Sequence, residues 1–179
     1  MRKQQHPDRQ ECLRLLRENK TPEHVIRHCQ AVCDTAVKIG TAMNQHGYDF
    51  DLELVRAAGM LHDIERVEEE HWIKGGDLVE QLGYPEEADI IRAHMFYTFS
   101  PIETFNETDL VCLGDRLVKE DQYVGLDKRI QYVIDKVEKR GSDPETRAAI
   151  LEKKKQTAKL IGRIETIIGT TLDQLMKGE

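Results

Sequence analysis

Imidazole and carboxylate groups stand at points of this 179-residue chain where an apolar pattern turns them inward or where a helix ends: His28, His62, Asp63, His71, His94 and Asp115. His28 lies one turn from Val25 and Val32, so its ring faces a core, where an imidazole needs a partner to offset its lost hydration. Asp115, in VCLGDRLV, follows a run of apolar residues and sits behind Gly114, which turns its carboxylate toward the interior. Taken singly, each has an ordinary explanation. A core histidine can be satisfied by a hydrogen bond, a helix-end His suits the local dipole, and an inward Asp can bridge two helices. Taken together, neutral imidazoles and carboxylates gathered at one cleft from several helices are the ligands that borderline divalent metals prefer.

The elements that must position these groups are helices. Thr21-Pro22 offers an N-cap followed by Pro at the first helical position. Val25, Cys29, Val32, Ala36, Ile39 and Met43 then share one face, and Gly47 lies beyond the end. Asp51 caps a second helix whose Leu54, Val55, Ala58 and Leu61 point inward, and that helix delivers His62 and Asp63 at its end. A charged turn, Glu65 to Glu70, releases the chain. The next helix starts near His71 and stops at Gly83, and Pro85 opens another that carries Ile90, Ile91 and His94. Phe96 to Asn106 has no period and contains Pro101, which reads as a loop. Its Tyr97, Phe99 and Phe105 either form a lid over the cleft or pack the loop down. Asp109 to Lys119 resumes a helical pattern with Asp115 inside it, and two further helices follow, about Asp127 to Arg140 and Pro144 to Ile168.

Composition narrows the functional classes. Hydrophobic content of 39% with 33% charged and 6% aromatic residues is the mixture of amphipathic helices, with strands few or absent. A formal net charge of −7 argues against a stable complex with nucleic acid through backbone phosphates. A small anionic ligand remains compatible with it, because metal ions and a few Lys or Arg can dominate one cleft. Cys12, Cys29, Cys33 and Cys112 form no C-x-x-C pair, so reduced thiols and a cytoplasmic location are expected. MRKQQHPDRQ has no apolar stretch after its charges, and none elsewhere approaches the roughly 20 residues that span a bilayer. A protein neither exported nor embedded is the expectation, with one domain over residues 1–179, a core at about 20–140 and a C-terminal helical extension at about 144–177.

In order and spacing, His28, the His62-Asp63 pair and Asp115 resemble the H…HD…D signature of the HD-domain metal-dependent phosphohydrolases. His71 and His94 look like the additional histidines of the two-metal branches of that superfamily, among them the bacterial symmetric diadenosine tetraphosphate hydrolases. DLVCLGDRLVKEDQYVGLDKRI and IETIIGTTLDQL resemble the HD domains associated with molybdenum-cofactor nucleotidyltransferases. The resemblance implies an all-α bundle of about seven to eight helices with a central metal site. It implies one or two divalent transition metal ions, Fe, Mn, Co, Ni or Zn, held by His28, His62, Asp63, His71, His94 and Asp115.

A metal on His28, His62, Asp63 and Asp115 would lower the pKa of a bound water from about 15.7 to near 7. Asp63 could bridge to a second ion on His71 and His94. With one metal, those two histidines could instead contact phosphate or protonate the leaving group. Arg66 matches the Lys or Arg that HD enzymes often carry three residues after the pair, and is the first candidate to grip phosphoryl oxygens. Arg116 and Lys119 are the further candidates for contact with phosphate, Lys119 the better of the two, because a helix through it would put it on the side of Asp115 and turn Arg116 away by about 100°. The expected activity is hydrolysis of a phosphate ester of a nucleotide or nucleotide-like cofactor. The competing readings are a di-iron oxygenase of the same fold and a non-catalytic nucleotide sensor.

Overall fold

The computed structural model describes residues 5–178. Met1 to Gln4, part of the N-terminal segment read above, and Glu179 lie outside the described residues. Among those described, the chain is all-α apart from one minimal hairpin. Its helices are α1 (Arg9–Glu18), α2 (Glu23–Asn44), α3 (Leu52–Leu61), α4 (His71–Gln81), α5 (Pro85–Ala93), α6 (Glu107–Leu117), α7 (Leu126–Lys139), α8 (Pro144–Ile168) and α9 (Leu172–Lys177). Strands β1 (Val118–Lys119) and β2 (Gln122–Tyr123) pair antiparallel, Val118 opposite Tyr123 and Lys119 opposite Gln122.

Local chemistry accounts for most of the boundaries. Asp51 caps α3 by accepting from the Glu53 and Leu54 amides, and Asn106 and Asp109 form a reciprocal capping box at the start of α6. Gly83 adopts φ +97°, a left-handed conformation suited to glycine, and lets α5 fold back along α4. Among the described residues nine helices stand where seven to eight were expected. The additions are α1, with an inward stripe of only Cys12, Leu15 and Leu16, and α9, whose six residues are too few to show a period. The start of α2 also differs: Pro22 is its N-cap, because the Thr21 hydroxyl donates to the Ile64 carbonyl at 2.9 Å instead of capping the helix.

Two apolar cores flank α2 and α3. One joins Ile39 and Met43 of α2 to Val55 of α3, Leu110 and Leu113 of α6, Ile164 of α8 and Leu172 of α9. The other joins Ile26 and Cys33 of α2 to Leu16 of α1, Met60 and Leu61 of α3, Val79 of α4 and Ile91 of α5. Each fully buried aliphatic side chain contributes about 1.5 to 3 kcal/mol of transfer free energy, so the shared α2–α3 pair is the most firmly held part of the molecule. Among the described residues no helix is long and apolar enough to cross a membrane.

Candidate metal centre

The first three groups of the site come from helices that touch closely. A Cβ on Gly59 of α3 would lie 3.0 Å from the Cys33 Cα, and one on Gly114 of α6 would lie 3.0 Å from the Val32 carbonyl oxygen. Glycine at both points draws α3 and α6 onto α2. His28 therefore meets His62, the C-cap of α3, and Asp115, the residue after Gly114. The turn after α3 is pinned as well: the Ile64 carbonyl accepts from both the Thr21 hydroxyl and the Asn19 side-chain amide.

The second group is delivered by the α4–α5 hairpin. His71 is the first residue of α4 and His94 the residue just past α5, so an antiparallel pair puts both rings at one end. Gly75 and Gly76 make the pairing close, with Ile91 and Ala88 of α5 directly against them. The α5 helix is shorter than a pattern carrying His94 implies, and His94 instead begins a 3-10 turn, His94–Phe96.

Asp63 divides the ensemble. Its Oδ2 lies 3.7 Å from His28 Nε2 and 3.5 Å from His62 Nε2, while its Oδ1 lies 3.3 Å from His71 Nε2 and 3.4 Å from His94 Nε2. Asp115 Oδ1 completes the first side, 3.0 Å from His28 Nε2 and 3.6 Å from His62 Nε2. Two ligand groups result, His28–His62–Asp115 and Asp63–His71–His94.

Three of the four imidazoles are fixed from behind. Nδ1–H of His28 donates to the Glu120 carbonyl at 2.6 Å, that of His62 to Gly59 at 2.7 Å and that of His94 to Ile91 at 2.6 Å. With Nδ1–H donated to these carbonyls, Nε2 is the ring nitrogen that faces the cluster, the arrangement that metal-binding histidines use. His62 Nε2 is buried and makes no hydrogen bond. A buried nitrogen left without a partner costs about 1 to 3 kcal/mol, and a divalent cation between the carboxylates would relieve it. The donor set thus fits a metal.

Electrostatics agree with the geometry. Burial pushes the Asp63 carboxyl up, but the charge of His62 and the rings of His71 and His94 outweigh it and hold the group well below the usual carboxylate range. Asp115 is lowered in the same way, burial being outweighed by His28 and His62. Burial alone would depress His62; the neighbouring Asp63 carboxylate reverses this and raises it well above its ordinary value. Without a metal, the site holds ionised carboxylates and at least one protonated imidazole.

These groups open onto a cavity of about 800 Å³ lined by His28, Asp63, Arg66, His71, His94 and Asp115. Arg66 stands half-exposed at its mouth, its Nε 3.7 Å from Asp63 Oδ2. Lys119 and Arg116, the other two expected phosphate contacts, do not line it. The α6 helix ends at Leu117, whose carbonyl accepts from the Val124 and Gly125 amides, so Lys119 sits on β1 and the helical spacing from Asp115 does not apply. Arg116 turns to the other side of α6, donating to the Tyr97 carbonyl at 2.6 Å and lying 4.4 Å over the Phe99 ring. Phe99 and Phe105 pack into the core beside it and form no lid over the metal cavity. Arg27, Arg129, Tyr132 and Lys136 do line the cavity and escaped the reading by motif. The signal for the last three was present: positions 129, 132 and 136 share one helical face opposite the buried Ile134.

The HD domain family model matches residues 25–151 of the chain. A similar curated protein is an uncharacterized protein of Methanocaldococcus jannaschii, 38% identical over 77 residues, 41% of this chain and 46% of that protein. The matched segment thus spans about half the length of that relative. No solved structure matches. Neither finding carries the narrower likeness to molybdenum-cofactor-associated domains or to diadenosine tetraphosphate hydrolases.

Proposed function

The chain belongs to the HD domain family, and from that premise we propose that it is a metal-dependent phosphohydrolase acting on a phosphate ester of a nucleotide or nucleotide-like small molecule. The observation that carries the reading is the divided Asp63 carboxylate, one oxygen turned to His28 and His62 and the other to His71 and His94. A pair of divalent ions bound there would supply Lewis acidity and an acidified water.

The chain's own residues do the rest. Asp63 joins the two ligand groups, and the backbone carbonyls behind His28, His62 and His94 hold the rings in the productive tautomer. Arg66, at the mouth and next to Asp63, is placed to donate hydrogen bonds to phosphoryl oxygens and to offset the charge that grows on them as the substrate reacts. The cationic lining of the cavity favours phosphate over the uncharged substrates of oxygen-dependent chemistry.

Metal analysis of protein purified without chelator, with a phosphate-release screen over nucleotides and simple phosphate esters, tests the proposal. Close to two ions per chain and metal-dependent release are expected. In folded Asp63→Ala, metal and turnover should both fall to background; near-normal turnover would sink the assignment. His94→Ala should keep about one ion per chain with hydrolysis reduced at least about 100-fold, the scale of a lost catalytic donor. Unchanged stoichiometry in that variant would instead make His94 a substrate contact.

A further inference from the structure

The α7 helix gives the metal cavity a second cationic region, separate from Arg66. Arg129, Tyr132 and Lys136 all line the cavity that holds the metal-ligand candidates. The Tyr132 ring gathers three cations: Lys136 Nζ at 4.6 Å, Lys119 Nζ at 4.9 Å and the Arg129 guanidinium carbon at 5.5 Å from its centroid. None of the three takes part in an ion pair among the described residues, in a chain where acidic residues outnumber basic ones by 33 to 26. The acids that line the same cavity are otherwise placed. Asp121 pairs with Arg27 at 3.5 Å, and Glu120 is exposed and receives His28 through its carbonyl.

Bringing three like charges to one ring costs repulsion. The ring face offsets part of that cost by cation–π attraction, and an anion would offset the rest. Arg129 makes the point most directly. Its Nε is buried with no hydrogen-bond partner, an open donor on a charged group lining the cavity. The cavity's 800 Å³ lies toward the upper end of the range for small-molecule sites, about 300 to 1,000 Å³. It has room for more than a single phosphoryl group.

We infer that Arg129 and Lys136, gathered with Lys119 on Tyr132, form a second phosphate subsite, so that the substrate carries at least one phosphoryl group beyond the one hydrolysed. This rests on the phosphohydrolase reading above and narrows it from phosphate esters in general to polyphosphorylated small molecules. Nucleoside polyphosphates and sugar bisphosphates share that chemistry. In the hydrolysis, a water oxygen forms the new bond to phosphorus and the bond to the leaving oxygen breaks with its electron pair. The leaving oxygen takes one of the water's protons, and the α7 cations hold the charge of the distant phosphoryl group throughout. No oxidant or reductant is consumed.

Two measurements test it, using Arg129→Met and Lys136→Met, which keep the apolar stems, and Lys136→Arg, which keeps the charge. In the first, inorganic tripolyphosphate and inorganic phosphate are titrated calorimetrically into metal-free protein. Wild type and Lys136→Arg should prefer tripolyphosphate, and each Met variant should reduce that preference about tenfold or more, the loss of one charge-assisted contact. In the second, kcat/KM of the metal-loaded proteins is compared for ATP, a sugar bisphosphate and p-nitrophenyl phosphate. The polyphosphate-to-monophosphate ratio should fall in the Met variants; a fall confined to ATP, or to the bisphosphate, identifies which source the subsite serves. Preferences unchanged within twofold in both Met variants would overturn the inference. Absence of hydrolysis with every ester would overturn the phosphohydrolase reading alone, leaving the tripolyphosphate titration to decide the subsite.

Discussion

At the scale of single residues, a metal at this site would compete with protons for the same lone pairs. In the metal-free protein His62 is raised well above its ordinary value of 6.5, because the Asp63 carboxylate outweighs its burial. A metal takes the neutral imidazole, so binding releases that proton. The sign follows: below the raised value of His62 the apparent metal affinity should climb with pH, by about tenfold per unit for one released proton, and level off above it. The carboxylates add nothing over this range, since Asp63 and Asp115 stay ionised far below it. Titrations of Mn²⁺ or Zn²⁺ from pH 5.5 to 8 check this, and an affinity independent of pH would show that His62 is already neutral.

At the scale of elements, two glycines set the distance between the helices that carry the first ligand group. Gly114 meets the Val32 carbonyl and the Ala36 side chain, and backbone there leaves no flexible neighbour to move aside. Gly114→Ala should therefore lever α6 off α2, costing about 1 to 3 kcal/mol of stability as an overpacked core does. Because Asp115 is the next residue, metal affinity at the His28–His62–Asp115 group should fall more than at Asp63–His71–His94, whose two histidines the α4–α5 hairpin holds independently. Thermal melts with stepwise metal titration would show it as a weakened first group and a retained second. Gly162, with no atom near a would-be Cβ, is the matched control and should tolerate alanine.

At the scale of the whole molecule, every thiol is buried, Cys12 and Cys33 within the core that α1 joins. Cys12, Cys33 and Cys112 are pushed up to about 12 by burial, and Cys29 is raised by the same cause. All four side chains are inaccessible as well as neutral near pH 8. Native protein should thus react with a thiol reagent such as Ellman's only as fast as it unfolds, and denatured protein should release four equivalents. Rapid labelling of one cysteine in the folded state would place a local opening at its helix. The N-terminal segment adds a tie across the α3 and α5 helix starts, His6 Nδ1 meeting the fully buried Glu87 carboxylate at 2.5 Å and its Nε2 lying 3.6 Å from Asp51.

The identities and order of the metal-ligand candidates were legible in the sequence because they depend on local rules. A 3.6-residue period shows which face of α2 is buried and hence where His28 points, an Asp cap sets the start of α3, and a Gly-Tyr-Pro turn makes α4 and α5 neighbours. Only the tertiary structure decided which Asp63 oxygen faces which histidines, since that depends on how the turn after α3 is tied by Thr21 and Asn19 from another part of the chain. It also decided the cationic lining. Lys119 leaves the expected helix because the Leu117 carbonyl is taken by amides beyond a hairpin too short to give a strand pattern. The helical period puts Arg129, Tyr132 and Lys136 on one face, but that this face meets the cavity depends on how α7 packs, a contact between distant segments.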